Sequence, residues 1–73
     1  MLIDGRVYLL PDGHEYVAVA TDDRFFLYRV RPDYLTGLTI LVALADGTVR
    51  ERGRESHICR VDEVLDTGRP FAS

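Results

Sequence analysis

Residues 15–31 read EYVAVATDDRFFLYRVR, and this stretch decides the fold. Glu15–Thr21 alternates apolar and small residues with period two, as a half-buried β-strand does. Arg24–Arg31 repeats the pattern with aromatic and β-branched residues, which favour strands. Asp22-Asp23 lies between them as a tight turn, so the stretch predicts a β-hairpin.

Working outward, Arg6–Leu10 is a strand that meets this hairpin through Leu10-Pro11-Asp12-Gly13-His14. Pro presets φ for the first turn position, and Gly accepts the left-handed conformation that closes a three-residue loop with a G1 bulge. That loop pairs Leu10 with His14, Tyr8 with Tyr16 and Val7 with Val17. If Asp22-Asp23 also turns tightly, a three-stranded meander results. One of its faces carries Val7, Leu9, Val17, Val19, Phe26, Tyr28 and Val30, and this is the expected core. The other carries the rows Leu10–His14–Arg31, Tyr8–Tyr16–Arg29 and Arg6–Ala18–Leu27, with Ala20–Phe25 beyond. A one-residue slip would exchange the faces.

Beyond Arg31, PDYLTG (residues 32–37) has Pro at a first helical position and Gly after its end, which predicts one helical turn or a compact loop. LTILVALA (residues 38–45) is β-branched and bounded by Gly37 and Asp46-Gly47, so it reads as a central strand. Asp46-Gly47 is a two-residue hairpin signal. It would set Val49 opposite Leu44, with Ile40, Val42, Leu44 and Val49 inward and Leu41 and Ala43 facing away. Ser56–Val61 predicts a last short strand with His57 and Cys59 on one side. Asp62 would then cap a helical turn ended by Gly68, with strand through Val64 as the competing reading.

Six short strands with regular turns imply an all-β domain, a small antiparallel barrel or curled sheet with one or two short helical turns. In outline the order resembles SH3-like small barrels, although no family motif carries the comparison. The expected domain spans 1–68, with residues 69–73 as a flexible tail. LLPDG and ALADG share turn chemistry and do not make a repeat.

Composition sets the functional bounds. A chain of 73 residues buries only about 60% of its unfolded surface, and its lone Cys59 excludes an intrachain disulfide. Met1–Gly5 has no basic leader, and the apolar run Ile40–Ala45 is too short to span a bilayer. The reading is a soluble, cytoplasmic protein. All nine basic residues are Arg, and Lys, Asn, Gln and Trp are absent, as in a GC-rich bacterial genome. A net charge of -3 disfavours phosphate binding as the dominant activity.

No catalytic constellation is visible. His57 and Cys59 supply two ligands, short of the three or four that zinc sites use. The aspartates Asp12, Asp22, Asp23, Asp33 and Asp46 occupy turn positions that favour Asp for local hydrogen bonding. Neither a metal nor a cofactor is implied, and the protein is expected not to be an enzyme. The functional lead is leftover apolar surface, which marks interfaces. Tyr8, Leu10, Tyr16, Phe25, Leu27 and Leu41 are the candidate interface, for a second copy or another protein. The alternative is a weak single-stranded nucleic-acid binder that interleaves Tyr8 and Tyr16 with Arg29, Arg31, Arg50 and Arg52. The membrane is not an expected partner.

Overall fold

A computed structural model describes residues 2–30 and 40–71. They form an antiparallel all-β domain of seven strands: β1 (Arg6–Leu9), β2 (Glu15–Ala20), β3 (Phe25–Arg29), β4 (Ile40–Ala43), β5 (Thr48–Glu51), β6 (His57–Arg60) and β7 (Leu65–Pro70). One 3₁₀ turn, Val61–Glu63, joins the last two. The segment PDYLTG, with its expected helical turn, lies outside the described residues, as does Arg31.

The strands form a single sheet in the order β6-β5-β4-β3-β2-β1-β7, curled into a half-barrel. Connectivity forces the curl. Laid flat at about 4.8 Å per strand, the two edge strands would lie roughly 29 Å apart. The chain from Arg60 to Leu65 reaches about 18 Å when fully extended, so the edges must bend toward each other. The 3₁₀ turn shortens the link further. Val61 N–H donates to the Gly47 carbonyl at 2.8 Å, and Glu63 Oε1 accepts the Arg60 N–H at 2.9 Å, anchoring the turn at its start.

The registers of the first three strands match the expected pairings: Tyr8↔Tyr16, Val7↔Val17, Ala18↔Leu27 and Ala20↔Phe25. The inside and outside of the sheet are exchanged. The concave face holds Tyr8, Leu10, Tyr16, Ala18, Leu27, Leu41, Ala43, Val49 and Cys59 as one buried cluster, with Phe25, Val61 and Val64 packed against it. Leu27 is 0% exposed and Tyr16 1%. Thus Tyr8, Leu10, Tyr16, Leu27 and Leu41, expected as leftover surface, are the core, and Phe25 borders it. The expected core residues Val17, Val19, Phe26, Tyr28 and Val30 belong to the convex side; Val19 is 38% exposed and the others are half-buried.

Two physical reasons explain the exchange. A concave wall narrows toward its axis, so Ala18 opposite Leu27 leaves room for large neighbours. Buried tyrosines also need partners for their hydroxyls, and loops at the rim provide them. Tyr16 O–H donates to Asp12 Oδ2 at 2.7 Å, while Tyr8 Oη accepts the Ile3 N–H at 2.7 Å.

The second hairpin also differs from expectation. Leu44 N–H donates to the Thr48 carbonyl and Gly47 N–H to the Leu44 carbonyl, which makes Ala45–Gly47 a three-residue loop. Leu10 and Gly13 make the same two bonds around Pro11–Gly13. Val49 therefore faces Ala43, and Arg50 faces Val42. This register turns Leu41 and Ala43 inward, whereas Ile40 and Val42 lie on the outer side. Gly47 has φ +87°, and a Cβ there would sit 3.0 Å from the Arg60 guanidinium. Asp46 Oδ1 accepts both the Thr48 N–H at 3.0 Å and its O–H at 2.6 Å.

The sheet continues through Pro70, into the stretch expected as a tail. β7 pairs Pro70 with Arg6, and Phe71 N–H donates to the Gly5 carbonyl at 2.8 Å.

The exchanged faces yield a direct test by thermal or denaturant unfolding. Leu27→Ala should destabilise the domain by about 2–5 kcal/mol, as a fully buried leucine does, whereas Val19→Ala should cost about 1 kcal/mol or less. Acid stability tests the Asp46 loop. Thr48 donates two hydrogen bonds to the carboxylate, and these hold its folded pKa below the ordinary 3.8. Its contribution is then complete above the unfolded value and lost as pH falls through the lowered folded one. Melting temperature should fall on acidification below pH 3.8, and Asp46→Asn should make that fall shallower.

Candidate functional site

Strand alternation assigns the outer face row by row. The pairings place Val17, Tyr28 and Ile40 in one row and Val19, Phe26, Val42 and Arg50 in the next. Arg52 N–H donates to the Ile40 carbonyl, which extends the first row. Phe26 and Tyr28 are i, i+2 neighbours with ring centroids 6.3 Å apart, and the Arg52 guanidinium carbon lies 6.0 Å from the Phe26 centroid. The outcome is an apolar and aromatic stripe over β2–β4 with arginines on its β5 side. Val42 is buried within it.

The arginines there are mostly matched by carboxylates. Arg24 Nε lies 3.0 Å from Asp23 Oδ1, Arg54 Nε 3.3 Å from Glu51 and Arg50 3.6 Å from Asp46. These exposed pairs contribute little stability, but they cancel charge. With Phe26, Val42 and Leu44 they surround a shallow hollow of about 250 Å³. Among the described residues, Arg52 has no carboxylate within ion-pair distance. On the opposite border Glu15 pairs with Arg69.

Arg31 apart, which lies outside the described residues, the residues of the nucleic-acid alternative are not brought together. Tyr8 and Tyr16 are core, so neither ring is free to stack on a base. Arg29 faces Tyr16 across the β2–β3 pair and is half-buried, with its Nε buried and unbonded. Arg50 and Arg52 lie on the outer face. Burial pushes the Tyr16 phenol well above its usual range, and the Asp12 hydrogen bond adds to the effect. That hydroxyl is therefore a structural donor and not an acid.

A β-bulge separates His57 from Cys59. Val49 pairs with Cys59 and the next residue, Arg50, with His57, so one residue on β5 spans two on β6. Cys59 turns into the core while His57 is exposed; the expected common side is lost. Desolvation and nearby Glu63, Asp12 and Asp62 raise the Cys59 pKa. Among the described residues no three His, Cys, Asp or Glu side chains converge as a metal site, and no helix is long and apolar enough to cross a membrane.

The concave side has an opening of its own. A cavity of about 480 Å³ lies between the Thr21–Arg24 turn and the Ala45–Gly47 loop, with Leu2, Phe25, Ala43 and Val61 among its lining residues. The sequence signals for this feature were present but small: alanines at 20, 43 and 45 around Phe25.

No family model matches the sequence, and no curated protein or solved structure is significantly similar to it.

Burial and the raised pKa give Cys59 a testable property, since the thiolate is the reactive form. An aromatic disulfide reagent should modify it only slowly in the native protein, and rapidly once denaturant unfolds the domain. Immediate stoichiometric reaction under native conditions would contradict its place in the core.

Proposed function

We propose that this domain is a non-catalytic assembly module that self-associates through its outer face. The observation that carries the reading is the stripe Val17, Val19, Phe26, Tyr28 and Ile40, which remains partly uncovered after the concave face has filled the core. Five apolar or aromatic side chains on one sheet face exceed what scattered surface residues supply, and contiguous apolar patches mark interfaces.

Charge placement favours a second copy as the occupant. Two-fold interfaces are self-complementary, because the same patch meets itself in reverse. Glu15, which also engages Arg69, borders the stripe on β2, and Arg52, one residue past β5, borders its other side. Rotation about the middle of the stripe would bring each Glu15 toward the partner's Arg52. Packed sheets stand about 10 Å apart, so side chains from both stripes would interdigitate. The nucleic-acid alternative has less support: its tyrosines are buried, most outer-face arginines are paired, and the net charge is -3.

Sedimentation across the micromolar range tests the proposal. The wild type should show a concentration-dependent dimer, and Val19→Asp should weaken it by about tenfold or more, equivalent to about 1.4 kcal/mol. Arg52→Glu should also weaken it, and Glu15→Arg in the same chain should restore part of the loss. A wild-type monomer at every concentration would sink the idea. Salt-sensitive binding of a labelled oligonucleotide by that monomer would favour the alternative.

A further inference from the structure

The curled sheet is left unfilled at one end. At the deepest level the inward row is Ala18–Leu27–Leu41, and these side chains close the core. One step toward the Thr21–Arg24 turn the inward row is Ala20–Phe25–Ala43, so a single large side chain stands between two methyl groups. The turn above it adds Thr21, Asp22 and Asp23, none of which can fill an apolar space. Phe25 packs against the core yet stays only half-buried. The space left is the cavity of about 480 Å³, within the roughly 300–1,000 Å³ typical of small-ligand sites.

Its chemistry is asymmetric. Leu2, Phe25, Ala43 and Val61 make the inner lining apolar, while Asp22 and Asp23 stand at the exposed edge. Arg24 binds Asp23 through two hydrogen bonds of 3.0 Å each, matching that charge. Asp22 has no ion pair or side-chain hydrogen bond with any described residue. One carboxylate without a partner among the described residues therefore overlooks an apolar hollow.

We propose that this opening binds a small amphipathic cation, with an apolar body seated against Phe25 and an ammonium or guanidinium end held at Asp22. An anion with the same body would lose the attraction and meet the carboxylate instead. The opening belongs to the concave side, so occupancy does not depend on whether the outer face is an interface.

Titration with benzylammonium and with phenylacetate, followed by amide NMR shifts, separates the possibilities. Benzylammonium should shift Ala20, Phe25, Ala43 and Ala45, and should bind about two- to fivefold more tightly than phenylacetate, the ratio expected of one exposed charge pair. The preference should shrink as salt rises. Asp22→Asn should make the two ligands bind alike. Ala45→Trp, at an exposed loop position, should block both ligands while the remaining amide spectrum stays native. No shifts from either ligand, equal affinities in the wild type, or a preference surviving in Asp22→Asn would each overturn the assignment.

Discussion

The link from Arg60 to Leu65 governs the whole structure. It ties together strands at opposite edges of a seven-stranded sheet, and a flat sheet would hold those edges farther apart than the chain can reach. Once the sheet must curl, one face becomes a narrow interior and the other a broad exterior. Residues on the interior must fill a tapering space and bring their polar atoms to the rim. Tyr8, Tyr16, Ala18 and Leu27 meet both demands. The valine-rich face does not, because uniform β-branched side chains on a convex wall splay apart and cannot converge on one another.

Alternation and turn chemistry specify which residues share a face, and this much of the fold was legible. Leu10-Pro11-Asp12-Gly13-His14 sets the β1–β2 register, and Asp22-Asp23 sets the β2–β3 register without any non-glycine residue at positive φ. Which face is inside depends on the direction of the curl, and that is set by pairing between residues about sixty apart, such as Leu9 with Leu65. Local pattern carries no information at such a distance. Asp46-Gly47 illustrates a second limit. The dipeptide fits both a two-residue turn and the last two positions of a three-residue loop; Thr48, by hydrogen-bonding Asp46 twice, favours the longer loop. The proposed site was legible only in part: the sequence points to apolar surface on these strands but assigns it to the face that is buried.

The aspartates show why turn residues do not announce a site. Asp12 holds the His14 N–H at 2.9 Å and the Tyr16 hydroxyl at 2.7 Å with its two oxygens, so one carboxylate shapes a loop and satisfies a buried phenol. Asp66 accepts the Gly68 N–H and pairs with Arg6, and both effects hold its pKa below the ordinary range. Asp46 is similarly engaged by Thr48. Each is explained by folding alone. Asp22 differs, since it shapes its turn without a side-chain partner among the described residues.

A core built on one side of a single sheet leaves two kinds of unsatisfied apolar surface. The convex face cannot be covered by the sheet that forms it, and the open end cannot be closed by alanines. The two have different consequences. The outer stripe is broad and shallow, so only another extended surface can cover much of it at once; a small ligand would leave most of it wet. The opening beside Phe25 is far smaller than the stripe, about 480 Å³ with a mainly apolar lining, so a compact apolar group could occupy it. Shape thus divides the work between the two surfaces: the convex one suits a macromolecular partner, and the concave one suits a small amphiphile. Charge reinforces the division: Arg50 and Arg52 border the outer stripe, whereas at the opening Asp23 takes up Arg24 and leaves Asp22 without a side-chain partner among the described residues.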